Sequence, residues 1–259
     1  MVKGKHVRMR SILLLAFTAV WPPAHCLGQT AYGTSHHVPR QLLPSEWEAA
    51  RSATAPGVPV AQANEFLTSD RAGWVDLMPQ ETFQGWTRVA IPPDGALDPL
   101  SQWRLDKDHR TLICEGNRGH EWLRYDQELA NFLLHVEWRF ERREGLKGYN
   151  SGVFIRNDRQ GRVWHQAQVG EKAYIFGQTL ASGNLSPVIF SPSLHVNPLH
   201  PLGEWNTYEI RCDGPKITLW VNGILTAEFA APEVLKGYGG LEAEGYHIEF
   251  RNIYIKNIP

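Results

Sequence analysis

Cysteine is scarce in this chain, with three among 259 residues, at positions 26, 114 and 212. That excludes the dense disulfide scaffold of small secreted domains and a structural zinc site built on cysteine. Long apolar runs are missing as well. The run from Ser11 to Trp21 is about half the roughly 20 residues a membrane-spanning helix needs, so no stable membrane span is expected. Nor is there an excess of one charge: 26 basic residues stand against 27 acidic ones, a net charge of −1. Lys3, Lys5, Arg8 and Arg10 are the only charges before residue 29, which leaves 22 basic against 27 acidic residues beyond it. A surface with that balance lacks the basic field on which nucleic-acid binding depends. The glycines and prolines follow no period, and 42% apolar residues are too many for a disordered chain.

Tryptophan, by contrast, is plentiful, contributing ten of the 28 aromatic residues. This fits an aromatic β core and equally a carbohydrate-binding surface. The amino terminus reads as an export signal: a basic stretch from Lys3 to Arg10, the apolar run, and then Pro22, Pro23 and Ala24 before Cys26-Leu27-Gly28. We expect residues 1–28 to be a cleavable signal peptide and the destination to be periplasmic or extracellular. A lipid attachment at Cys26 is disfavoured by His25, which stands where a small residue is wanted. In an oxidising compartment Cys114 and Cys212 either form one disulfide or remain buried thiols, and the alternating runs around them accommodate both.

Residues 29–63 show little periodicity and read as a flexible spacer, with a short helix suggested by the Ser45/Glu48 capping-box spacing. The folded domain is expected over residues 64–259. Its clearest strand is Phe132 to Phe140, where Phe132, Leu134, Val136, Trp138 and Phe140 share one face and His135, Glu137 and Arg139 the other. Val153 and Ile155 alternate with Phe154 and Arg156, and Val163, Ala167 and Val169 with Trp164, Gln166 and Gln168. Asn222-Gly223 between two apolar runs signals a hairpin. Tyr246, Ile248 and Phe250 fall out of phase with Ile253 and Ile255, which predicts a bulge near Arg251-Asn252. Short strands at intervals of roughly 8 to 12 residues indicate an all-β sandwich or jelly roll of two antiparallel sheets.

The stretch from Asn64 to Ile258 resembles the 3-keto-disaccharide hydrolase domain family. The resemblance is carried by Gly73-Trp74-Val75-Asp76-Leu77, Gly85-Trp86, Asn150-Ser151-Gly152-Val153-Phe154-Ile155-Arg156, Gly203-Glu204-Trp205-Asn206, Val221-Asn222-Gly223 and Glu249-Phe250-Arg251-Asn252-Ile253. It implies a concanavalin-like jelly roll, and activity on glycosides already oxidised at carbon 3. Where the family commonly has Gly-x-Glu-x-Gln, this chain has Trp164-His165-Gln166-Ala167-Gln168, so an amide replaces a carboxylate. Gln166 cannot titrate and cannot serve as a general acid or base.

Glycoside cleavage ordinarily needs two carboxylates across the scissile bond. A ketone at carbon 3 changes that demand, since it acidifies the hydrogen on carbon 2 and lets one base drive elimination of the anomeric substituent. Glu137 is the expected base and Arg156 a donor to an oxyanion. Glu242 and Glu244, two residues apart, offer a carboxylate pair for a metal or for divided acid and base roles. Asn150, Trp164, Gln166 and Gln168 are the substrate-binding candidates. Glu137, Arg156 and Gln168 are expected to line one concave pocket. An oxygen-rich calcium or manganese site is compatible with the chain, but its ligands are not assembled by sequence. His120-Glu121 lacks the second histidine of H-E-x-x-H, and the remaining histidines are scattered. There is no Gly-x-Ser-x-Gly elbow, Gly-rich phosphate loop or EF-hand loop. The expected function is cleavage of 3-keto-disaccharides or 3-keto-glycosides, by hydrolysis or by elimination and hydration, with a carbohydrate as partner. A non-catalytic carbohydrate-binding jelly roll and a protein-interaction domain are the alternatives.

Overall fold

In a computed structural model, the described residues are 67 and 71–259, without 93–94, 182–183, 186–188, 191–197 and 231–233. The chain divides into two units, Met1–Val38 and Pro39–Pro259, and every described residue belongs to the second. The expected signal peptide and spacer therefore lie outside the described residues.

All regular structure among the described residues is β. The first sheet runs in the order β14 (Ile224–Ala230), β13 (Lys216–Val221), β12 (Asn206–Asp213), β6 (Phe132–Phe140), β16 (Ile248–Asn257), β4 (Thr111–Cys114) and β3 (Trp103–Asp106), with β1 (Val75–Asp76) on β16. The second runs β10 (Asn184–Leu185), β9 (Ile175–Ala181), β8 (Val163–Gly170), β7 (Asn150–Asn157), β15 (Gly237–Ala243), β5 (Glu121–Leu129) and β2 (Trp86–Ala90), with β11 (Ile189–Phe190) on β9. Every described pairing is antiparallel.

Alternation decides which side chains enter the core. Leu134, Val136, Trp138 and Phe140 from β6 meet Ile210 from β12, Leu219 from β13 and Phe250 from β16 on the inner side of the first sheet. Val153 and Ile155 from β7, Ala167 and Val169 from β8, and Leu241 and Ala243 from β15 complete the same core from the second. The expected core residues Val136, Trp138, Ile155, Ile210, Leu219 and Phe250 are all there. The bulge expected at Arg251-Asn252 is present as a register shift between Arg251 and Tyr254, with Asn252 at a positive φ of 50°.

Cys114 and Cys212 are both buried free thiols. They sit on β4 and β12, with β16 and β6 between them. Three strand spacings, about 14 Å, far exceed the reach of a disulfide. Burial pushes both thiols up to about 12.

Arg156 departs from the alternation expected of it. Opposite Tyr238 to Gly240 of β15, strand β7 carries one extra residue, with Tyr238 facing Asn157 and Gly240 facing Phe154. At this bulge Arg156 takes φ 52° and becomes wholly buried, so it lines no sugar-facing surface. Its Nε donates to Ala130 O at 2.7 Å, Nη1 to Gly214 O, and Nη2 to Asn131 Oδ1 at 3.2 Å. One guanidinium thus ties β7 to the β5–β6 turn and to the β12–β13 turn. Arg156→Met should lower unfolding free energy by about 2–4 kcal/mol, since buried acceptors left without donors cost about 1–3 kcal/mol each; urea denaturation measures it.

Candidate functional site

Glu137 and the amide candidates occupy different sheets. β6 belongs to the first sheet and β7 and β8 to the second, and each presents these side chains away from the shared core. Glu137 and Gln168 therefore stand on opposite outer faces, and the single pocket expected for Glu137, Arg156 and Gln168 does not form. Strand alternation identified Glu137 as outward-facing, but alternation does not say in which sheet a strand lies.

On its own face Glu137 is held by Arg251 Nε at 2.7 Å and Asn252 Nδ2 at 2.8 Å, with His135 Nε2 at 3.7 Å. Burial alone would raise its pKa, but these three partners outweigh it and hold the carboxyl down at about 2. His135 sits between Glu137 and Glu209, its Nδ1 2.6 Å from Glu209 Oε1. Burial opposes charging the ring, yet the two carboxylates prevail and push it up to about 9. This is a structural ion network, and a carboxylate so strongly stabilised is a poor proton acceptor.

The outer face of the second sheet holds a different cluster, built around Glu242 on β15. Glu242 is 2% exposed. His120, just before β5, places Nε2 2.8 Å from Glu242 Oε1, and Gln166 Nε2 donates to Glu242 Oε2 at 2.9 Å. Ser151 Oγ donates to the Glu242 carbonyl at 2.8 Å, which fixes β7 against β15 at this point. Register explains how Gln166 arrives. Gly152 faces Gln168 across β7 and β8, and a Cβ on Gly152 would lie 2.3 Å from the Gln166 amide carbon. The missing side chain at Gly152 is the space through which Gln166 crosses toward Glu242.

Beyond Gln166 the amides continue. Gln166 Nε2 also lies 3.3 Å from Gln168 Oε1; Gln168 Nε2 donates to Asn150 Oδ1; and Asn150 Nδ2 donates to Glu244 Oε2. Glu244 follows the last residue of β15 and lies near both Glu242 and His120. Burial, then the Glu242 charge, raise its pKa to about 8, against a partial opposing effect of His120. For His120, burial disfavours the cation, but hydrogen bonding and attraction to Glu242 carry its pKa above the usual value. One ligand atom each from His120, Glu242 and Glu244 lie within 4.8 Å of one another, a set that could hold a metal ion.

The neighbouring part of this face is aromatic. Trp122 pairs with Glu242 across β5 and β15 and contacts Phe154 with ring centroids 5.1 Å apart. The side chain of Trp164 lies outside the described residues. A cavity of about 420 Å³ lies elsewhere, lined by Asp76, Met78, Leu105, Lys107 and Arg110 among others. There Arg110 is paired with Asp76 at 2.6 Å, and the cavity contains none of the His120, Glu242 and Glu244 cluster.

The structure thus brings together Glu242, Glu244, Asn150, Gln166 and Gln168 of the expected residues and sets Glu137 and Arg156 apart. It adds His120, which sequence reasoning passed over because its partner lies 122 positions away. Glu121, its neighbour, turns the other way and binds Arg88 and Trp103.

The 3-keto-alpha-glucoside-1,2-lyase-like domain model matches residues 73–256. No curated protein matches the chain. Among solved structures, the carbohydrate binding module CBM66 from Bacillus subtilis is similar with TM-score 0.51 and 12% identity, covering 67% of this chain and 96% of that one. A proposed glycosyl hydrolase from Parabacteroides distasonis has TM-score 0.50 and 13% identity, covering 72% and 95%. At such identities the likeness is one of fold.

The His135 network gives stability a pH dependence of calculable sign. A histidine raised to about 9 stabilises fully below its unfolded value near 6.5, and that contribution is lost as pH rises through 9. Glu137, depressed to about 2, contributes above about 4.5 and loses its contribution as pH falls toward 2. The urea midpoint should therefore fall between pH 6.5 and 9, and His135→Gln should flatten that decline.

Proposed function

Because the chain belongs to the 3-keto-alpha-glucoside-1,2-lyase-like domain family, we propose that it cleaves glycosides carrying a ketone at carbon 3, using the cluster around Glu242. One observation carries this reading. A His120–Glu242 pair stands beside a carboxyl, Glu244, whose pKa is raised to about 8, so groups suited to accept and to donate a proton share one face.

The ketone makes the hydrogen on carbon 2 acidic. An ionised Glu242 can only accept, so in neutral His120 the Nε2–H points at it and Nδ1 keeps its lone pair. His120 Nδ1 takes the carbon-2 proton, and Glu242 stabilises the imidazolium that results. The C–H electron pair becomes the C1–C2 double bond as the bond from carbon 1 to the departing oxygen breaks. Protonated Glu244 supplies that oxygen with its proton. The products are an alcohol and an enone, and addition of water, hydroxyl to carbon 1 and hydrogen to carbon 2, completes net hydrolysis.

A second reading of the same residues is supported by the spacing of their ligand atoms. One imidazole and two carboxylates suit a divalent cation such as manganese, which when bound would polarise the ketone as a Lewis acid. We place the activity in the periplasm or outside the cell, from the basic and apolar pattern of residues 1–28.

On a 3-keto-disaccharide, His120→Ala and Glu244→Gln should each lower kcat by about 10²–10⁴ with unchanged circular dichroism, whereas Glu137→Gln should leave turnover intact. The wild-type pH profile should be bell-shaped. Its rising limb belongs to His120, which must lose a proton to act as base, and its falling limb, near 8, to Glu244, which must keep one. Loss of turnover in chelator, restored by manganese, would favour the cation reading. Sugar binding without turnover in either condition would assign the chain to carbohydrate recognition instead.

A further inference from the structure

Strand alternation sends Leu133 and His135 of β6, Glu209 of β12, and Thr218 and Trp220 of β13 to the outside of the first sheet, yet all five are buried, Leu133 to 3% exposure and Trp220 to 2%. They form one patch. Glu209 faces His135 on one side and Trp220 on the other, and the next row sets Arg211 between Leu133 and Thr218. The outer face of an antiparallel sheet is ordinarily solvated, so burial in its middle requires a cover. Neither Leu133 nor Trp220 belongs to the core between the sheets. Every described strand lies in one of the two sheets, so none crosses the outside of the first. Trp205 stacks on Arg139 and Arg251, beyond Glu137 from this patch.

The chain that leads into β1 arrives at the edge of this patch. A Cβ on Gly73 would lie 3.6 Å from Lys256 Cε, and Lys256 faces Leu133 across β16 and β6. Leu67, earlier still, is already buried. Pro39–Pro259 is one compact unit, so residues 39–66 belong with the sandwich. From Lys256 the patch extends over β6 and β12 to β13, three strand spacings or about 14 Å, which about five extended residues can cross. The stretch has the apolar side chains for this, among them Leu42, Leu43, Trp47, Val60 and Phe66. Pro39, Pro44, Pro56 and Pro59 disfavour its pairing as a further sheet strand and suit a segment laid over the strands.

We propose that residues 39–66 dock across the outer face of the first sheet as a strap over Leu133, His135, Glu209 and Trp220. The stretch ahead of the sandwich is then a part of its fold and not a tether. The strap leaves the outer face of the second sheet, where the His120 side chain is 34% exposed, to a ligand. Docking of the strap does not depend on the cleavage reading and stands or falls separately from it.

Hydroxyl-radical footprinting of the full chain, read by mass spectrometry, tests it, with buried Ile210 as the slow reference and exposed Leu235 as the fast one. Leu133 and Trp220 on the sheet, and Leu42, Leu43 and Trp47 on the segment, should all label close to the Ile210 rate. Labelling of either group at the Leu235 rate overturns the proposal. A protease site placed at residues 68–70 of the full chain then separates segment from sandwich. After cleavage the two pieces should still elute together, and stripping the segment with mild urea should raise Leu133 and Trp220 to the Leu235 rate while Ile210 stays slow. If the cut segment leaves freely and Leu133 and Trp220 remain protected, another stretch of the chain covers the face and the strap is overturned. Protection that is lost on dilution, together with a dimer mass, assigns the cover to a second copy and overturns it as well. Should the cut protein unfold, the uncut chain still decides, because its footprint reads sheet and segment together.

Discussion

A carboxylate removed almost completely from water, Glu242, is the constraint around which the outer face of the second sheet is organised. An ion at that depth must be compensated by donors, since the cost of an isolated buried charge exceeds the whole stability of a domain this size. His120 and Gln166 provide that compensation, one oxygen each. Their positions make further demands: Gly152 must lack a side chain to let Gln166 pass, and Ser151 must reach the Glu242 backbone to hold β7 and β15 in register. Glu244 feels the same charge and stays protonated into a range where carboxyls are ordinarily ionised. The raised pKa of Glu244 and the local architecture thus share one cause.

The two sheets divide their polar residues by purpose. On the first sheet's outer face His135 lies between Glu137 and Glu209, and Arg251, bonded to Glu137, lies over the Trp205 ring at 4.0 Å. On the second sheet's outer face burial beside Glu242 raises the pKa of Glu244. Similar residue types, histidine with two glutamates, hold one carboxyl down at about 2 in one place and raise another to about 8 in the other. The difference lies in the extra cations, since Arg251 has no counterpart in the hydrogen bonds around Glu242.

Much of this was legible in sequence because strand alternation is a local property. The core of β6, the Asn222-Gly223 turn and the slip in β16 each follow from neighbours within ten residues. Facing was therefore read correctly for Glu137, Gln166 and Gln168. Sheet membership was not, because β6 and β7 are adjacent in the chain yet belong to different layers. Arg156 failed for another reason: a single extra residue opposite β15 reversed its side, and no turn residue marks that bulge. His120 gained its meaning only when β5 was laid beside β15.

The separation of Cys114 from Cys212 has a consequence for where such a domain can operate. With both thiols deep in the core and two strands between them, the described fold contains no bond that an oxidant must form or a reductant can break. Its cohesion comes from packed side chains and paired backbones alone. Maturation is then uncoupled from the electron balance of the surroundings: the same sandwich closes in a reducing cytosol or an oxidising envelope, without an oxidase or an isomerase as a gatekeeper.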